Sequence, residues 1–280
     1  MQRVGIVTDS TSDITPEVAR ELGIEVVPLS VTIGDDTFED GTLTQREFFD
    51  RMKDAPALPT TSQPPVGAFI ETYQRVLDRA SEVVSIHISA PLSGTLESAH
   101  KAAAHFGDRV MVFDSKNLAW GEALQVIEAA RSAAQGASAA EVLERIEAAR
   151  ERVRMIVGLD SLENLARGGR IGRVAAFVGG ILNLKITLTV NETGTLEPVA
   201  RTRGAKAALE HTLQWIAQYM GDRRKGSFAV MHVLSPDKAA WLEARLRGTY
   251  QIRDLYNVEA GSVLSTHTGT GWGVALLPVE

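Results

Sequence analysis

The chain has no cysteine in its 280 residues. That excludes a disulfide framework and thiolate chemistry, and it fits a cytosolic protein. Long apolar runs are missing too. The N-terminal apolar segment, Val4–Val7, meets Thr8 and Asp9 at once, too soon for the apolar region of a signal peptide. The most lipid-like stretch, Ala175–Leu182, is short and lies between Arg173 and Lys185, so it is not expected to span a bilayer. Excess basic charge is absent: the formal net charge is -6, which argues against a nucleic-acid partner. There is no G-x-x-x-x-G-K-S/T phosphate loop. The 6 histidines never take H-E-x-x-H spacing, and Asp35, Asp36, Glu39 and Asp40 lack the spacing of a calcium loop. Gly269-x-Gly271-x-Gly273 opens no helix after a strand, and G-x-S-x-G is absent around Ser93. No metal or resident cofactor is expected, and the chain is read as cytoplasmic.

A hydrophobic share of 44% beside 23% charged residues supports a buried core in one large or two ordinary domains. The first half alternates strand and helix patterns. Arg3–Thr8 reads as a strand, and Thr15-Pro16 opens a helix to Leu22. Glu25–Ile33 is extended, Thr44 with Glu47 forms a capping-box pattern, and Val66–Ala80 is the next helix. The strand Val83–Ile88, a helix over about 94–106 and the strand Val110–Phe113 follow. Such alternation predicts a parallel sheet covered by helices on both faces, an α/β/α sandwich. Helix then runs over about 121–153 with a break at Gly136–Ser138, where Ser138 and Glu141 repeat the capping box. We set a domain boundary at 150/151. Beyond it, Leu184–Val190 and Thr195–Val199 read as a hairpin, followed by a helix over about 204–219, the strand Ser227–Val233 and a helix opened by Ser235-Pro236. The chain ends in two further apolar segments, Val263–Ser265 and Val274–Leu277, separated by THTGTGWG. This predicts a second α/β domain, 151–280, with a mixed sheet.

Glu82–His100 is the most informative stretch. It reads as a buried strand, a turn and a helix start, with Ser93, Gly94 and Thr95 where free backbone N–H groups attract an anion. Two other hydroxyl-rich turns share this chemistry: Thr60-Thr61-Ser62-Gln63 and Ser265-Thr266-His267-Thr268. All three offer neutral donors and no fixed charge. Read blandly, Thr61 and Ser93 are helix caps and His267 is a structural loop residue. Asp9 and Asp114 end strands, where each either orients a neighbouring histidine or hydroxyl or forms an Asx turn. The glycine-rich segment Leu165–Arg173 either binds phosphate, docks an acidic partner or is a solvated turn. Arg201 and Arg203 reach either an anion or a helix end.

Taken in order, TDSTSD at Thr8–Asp13, TSQP at Thr61–Pro64, LSGT at Leu92–Thr95 with Ser98-Ala99, and Asp114-Ser115 resemble the DegV family of fatty-acid-binding proteins. GGRIG at Gly168–Gly172, LNLK at Leu182–Lys185, Arg201-x-Arg203 and His267-Thr268-Gly269 extend the resemblance over the whole chain. The resemblance implies a fatty acid enclosed between two α/β domains, its carboxyl group met by Thr61, Ser93 and His267, with Ser62, Gly94, Thr95 and Arg201 around it. It also implies a lipid-binding subunit without an active centre of its own. Such a subunit presents the carboxylate to a fatty acid kinase that uses ATP and Mg²⁺ to form an acyl phosphate for phospholipid synthesis. Docking of that kinase is expected near Arg170 and Arg173. Two family prolines are replaced here, at Ile186 and Thr270, while the head-group residues stand. The alternative is a serine hydrolase acting on lipid-like esters, with Ser93 as nucleophile, His267 as base and Asp9 or Asp114 as orienter. A scaffold with a purely structural lipid is a third reading.

Overall fold

The structure, a computed structural model, describes residues 2–177 and 184–279. Most of the lipid-like stretch Ala175–Leu182, Leu182 of the LNLK motif and the side chain of Arg173 lie outside the described residues.

Period-two alternation builds the first sheet. β1 (Gln2–Asp9) turns Val4 and Ile6 to one apolar cluster and Val7 to another. It pairs in parallel with β2 (Ile24–Val27) and β6 (Ala80–His87), and β6 pairs in parallel with β7 (Val110–Asp114), giving the order β2-β1-β6-β7. A small antiparallel sheet, β3 (Ser30–Ile33) flanked by β4 (Asp36–Glu39) and β5 (Thr60–Ser62), stands beside it. The extended segment expected over Glu25–Ile33 is therefore two strands in two sheets. Thr60–Ser62, read as a turn, is a strand, because Val31 pairs with Thr61.

The mixed sheet has the order β10-β9-β8-β13-β11-β12, built from β8 (Arg154–Leu159), β9 (Leu184–Val190), β10 (Leu196–Arg203), β11 (Lys225–Val233), β12 (Gln251–Glu259) and β13 (Gly271–Pro278). Only β11 and β12 are parallel neighbours; the other pairs are antiparallel. The expected α/β/α parallel-sheet region and mixed-sheet region are thus both present.

Caps set the helix starts. In α1 (Pro16–Leu22), Thr15 caps Val18 N and Gly23 at φ 66 ends the helix. Both capping boxes form, at Thr44–Glu47 before α2 (Gln45–Asp54) and at Ser138–Glu141 before α6 (Ala139–Arg152). α3 (Val66–Leu77) and α4 (Thr95–Ala103) cover one face of the parallel sheet. On its other face lie α1, α6 and α5 (Ala119–Ala134), which is buried at every position from Ala119 to Ala130. The reason is that α5 lies between the two sheets: its apolar cluster joins Val4 and Ile86 to Met155, Leu188 and Ala275. Beyond the mixed sheet, α8 (Ala205–Met220) and α9 (Pro236–Thr249) close the stack. A short α7 (Glu163–Arg167) and α10 (Ser262–Thr268) complete the chain.

The apolar segment Val263–Ser265 lies in the helix α10. Thr266 and Thr268 hydroxyls donate to the carbonyls of Ser262 and Leu264, four residues back, and Asp13 and Asp40 accept from the Gly261 and Val263 N–H groups at its start. The mixed sheet gains β12, a strand that the sequence reading did not assign.

Candidate functional site

Where the parallel sheet ends against the mixed sheet, side chains from both line an apolar cavity. Leu29 and Ile88 come from the first half; Met155, Val157, Leu159 and Leu188 come from the inner face of β8 and β9. A second hollow shares Leu118, Met155, Val157, Leu159 and Leu264 and carries the apolar space on towards Met231 and Trp272.

Thr61, Ser93 and His267, from three distant segments, all line the first cavity. His267 Nε2 lies 2.8 Å from Thr61 Oγ1. Ser93 Oγ lies 2.8 Å from Thr95 Oγ1, and the Ser93 oxygen also accepts from Thr95 N. Burial, seconded by the Arg170 charge, lowers the His267 pKa to about 4, so the imidazole is neutral near pH 7. Its Nδ1 is buried without a hydrogen-bond partner among the described residues, and Gly168 packs against it. A Cβ at Gly168 would stand 2.4 Å from that nitrogen, which is a physical reason for glycine there. Gly94 has a similar one: a Cβ would meet Gln63 Oε1 at 1.9 Å. Gln63 crosses Gly94 to donate to Ser98 Oγ at 2.8 Å, so the TSQP and LSGT segments lock together.

Other expected site residues fall elsewhere. Gly94 and Thr95 stand next to Ser93 and do not line the cavity; Thr95 is fully buried. Ser62 is exposed on β5 and Arg201 is exposed on β10, and neither lines the cavity. Arg170, expected at a docking surface, turns to the cavity wall, where it donates to Leu92 O at 3.2 Å and Gly168 O at 2.7 Å. The mouth is therefore not free of fixed charge, as the three hydroxyl turns alone implied.

The hydrolase arrangement is not assembled. Ser93 is bonded to Thr95 and His267 to Thr61, while Asp114 Oδ1 accepts from Lys116 N in an Asx turn. Asp9 does orient a histidine and a hydroxyl, but the histidine is His87. Asp9 Oδ2 lies 2.9 Å from His87 Nδ1, and His87 Nε2 lies 2.6 Å from Ser85 Oγ, which accepts from Tyr73. Ser85, His87 and Asp9 all have 0% exposure, so no substrate reaches them. The sequence reading passed over His87; the alternation in SIHIS, which puts a histidine on a buried strand face, was the available signal.

The sequence profile described as "Uncharacterised protein, DegV family" matches residues 3–279. The chain belongs to the DegV family. It is 37% identical to a DegV domain-containing protein of Deinococcus radiodurans over 99% of both chains. Among solved structures, a fatty-acid-binding DegV family protein from Thermus thermophilus superposes with a TM-score of 0.94 at 34% identity, covering 99% of this chain and 100% of its own. DegV of Bacillus subtilis, described as a fatty acid binding protein, gives a TM-score of 0.89 at 28% identity over 100% of both chains. Among the described residues no helix is long and apolar enough to cross a membrane.

Proposed function

We propose that this chain binds one long-chain fatty acid, its tail in the apolar cavity and its carboxylate among Thr61, Ser93, His267 and Arg170. The observation that carries the reading is an apolar cavity whose lining includes three neutral donors, Thr61, Ser93 and His267, and the Arg170 guanidinium. DegV relatives that bind fatty acids share the fold across the whole chain. Burying about fifteen methylenes at ~0.8 kcal/mol each sets an upper bound near ~12 kcal/mol. Each hydrogen bond to the carboxylate nets ~1.5–3 kcal/mol. The tail supplies the affinity, and the head-group residues set position. With its proton on Nε2, neutral His267 donates to Thr61 Oγ1, and the Thr61 hydroxyl proton is left for the carboxylate. Arg170 balances the charge.

In this reading the protein is a carrier that presents the carboxylate to a fatty acid kinase subunit, which brings ATP and Mg²⁺ and makes the acyl phosphate. It works in the cytoplasm, and the boundary at 150/151 divides the two halves that enclose the ligand. Lipid extraction and native mass spectrometry of the purified protein test the first part: a co-purifying fatty acid in one-to-one ratio is expected, and an empty protein that takes up neither palmitate nor oleate overturns it. For the second part, Ser93→Ala and His267→Ala are expected to keep lipid uptake and lose acyl-phosphate output with a fatty acid kinase subunit. Unchanged output from both variants would refute the head-group roles. Stoichiometric labelling of Ser93 by a fluorophosphonate would favour a hydrolase instead.

A further inference from the structure

α5 carries Glu122 into the interior at 0% exposure. Thr8 Oγ1 of β1 donates to its Oε1 at 2.9 Å, and Thr11 Oγ1, in the turn after β1, lies 3.3 Å from its Oε2. The charged groups nearest to it, Asp9 and Asp13, are both acidic. Among the described residues no lysine or arginine bonds to Glu122, and His87 on β6 is committed to Asp9. An unpaired buried carboxylate is costly enough that the group takes up a proton instead.

The hydrogen bonds reach the same answer by counting protons. Thr11 has one hydroxyl proton and two carboxyl neighbours, Asp9 Oδ1 at 2.5 Å and Glu122 Oε2 at 3.3 Å. Asp9 also receives Thr11 N, Ile88 N and His87 Nδ1, so donors already surround both of its oxygens. The shorter contact takes the Thr11 proton. The longer contact is then a hydrogen bond only if Glu122 itself supplies the proton. Burial, together with the Asp9 charge, holds the Glu122 carboxyl well above the usual range.

Thr11 also lines the fatty-acid cavity. We infer that Glu122 is a positioning residue for that cavity: as a neutral acid it donates to Thr11 Oγ1, Thr11 donates to Asp9, and Thr11 is left with only apolar surface to offer an acyl chain. Ionised, Glu122 would compete with Asp9 for the single Thr11 proton, and the cavity wall would gain a polar group in need of water. The ligand class named here rests on the fatty-acid reading; the protonation of Glu122 does not.

Two measurements separate them. In infrared spectra of the ligand-free protein at neutral pH, the wild type should show the carbonyl band of a protonated carboxyl that Glu122→Gln loses; an unchanged band overturns the inference. In palmitate titrations, Glu122→Ala should bind about tenfold more weakly, and Glu122→Gln should restore most of that loss, because an amide donates to Thr11 as the acid does. Wild-type affinity should fall as pH rises into the alkaline range while that of Glu122→Gln stays level. A variant Glu122→Gln as weak as Glu122→Ala, or one with the wild-type pH profile, overturns the positioning role. Failure of the wild type to bind palmitate or oleate at any pH sinks the fatty-acid reading, while the infrared band still decides the state of Glu122.

Discussion

Helix α5 buries two glutamates six positions apart and treats them in opposite ways. Glu122, at 0% exposure, has hydroxyl partners and acidic neighbours. Glu128, at 3% exposure, receives Arg131 at 3.5 Å, Arg145 at 2.9 Å and Arg253 at 2.5 Å. Arg131 also pairs with Asp254 at 2.7 Å, which ties α5 to β12. Position explains the difference. Arginine stems can reach Glu128 from the rim while their guanidinium groups stay partly wet. Glu122 lies behind the apolar cavity that Thr11 lines, where a guanidinium would bring water to an apolar wall. The same residue type is thus a charged rivet at one end of α5 and a neutral donor at the other.

The largest expected effect is on the charged end. Glu128→Ala removes the shared acceptor of three guanidinium groups and should destabilise the fold by about 3 kcal/mol or more. Glu122→Gln, which replaces a neutral acid by a neutral amide, should cost less than about 1 kcal/mol. Urea unfolding at pH 7 measures both, and equal losses would dissolve the contrast.

Neither glutamate was legible in the sequence, and the reason bears on the whole chain. Local devices could be read directly: the capping boxes at Thr44 and Ser138 and the Thr15-Pro16 start form as expected because each needs only four consecutive residues. The strand–helix rhythm gave the parallel sheet for the same reason. The helix at Ser262–Thr268 was missed because its start is held by Asp13 and Asp40, more than two hundred residues away. The burial of α5 between two sheets was also hidden, since apolar periodicity reports that a face is covered and not by what. At the site, Thr61, Ser93 and His267 stood out in three hydroxyl-rich turns and the family resemblance joined them, and they do share one cavity. Arg170 lines that cavity and Arg201 does not, a difference hidden in the sequence because a loop arginine and a strand arginine look alike until the backbone aims them.

A smaller effect probes redundancy. Thr8→Val keeps shape but removes the one hydroxyl that, among the described residues, donates to Glu122 Oε1, and it should cost about 1–2 kcal/mol. Arg145→Ala leaves Glu128 with Arg131 and Arg253, and Arg145 is 53% exposed, so the loss should stay below about 1 kcal/mol. The order of the two melting temperatures tests this; a larger loss for Arg145→Ala would mean that the arginines act as one unit.

The smallest effect is in pH dependence, where the two ends should respond in opposite directions. Burial alone would raise the Asp254 pKa, but hydrogen bonds from Arg131 and Ser227 outweigh it and bring it to about 2. Asp254 is ordinarily half-ionised near pH 4, so its stabilising contribution is complete above that and fades as pH falls towards about 2. Glu122 is raised, again chiefly by burial, so its contribution is complete below the ordinary carboxylate pKa and fades as pH rises through its folded value. Acid should therefore loosen the C-terminal half of α5 first, and alkali the N-terminal half. Amide exchange across Ala119–Ala134, compared at the two extremes after correction for intrinsic rates, reads this directly. If both halves open together at each extreme, α5 unfolds as one cooperative unit, and the two glutamates differ in their local bonding without differing in how they tie the helix down.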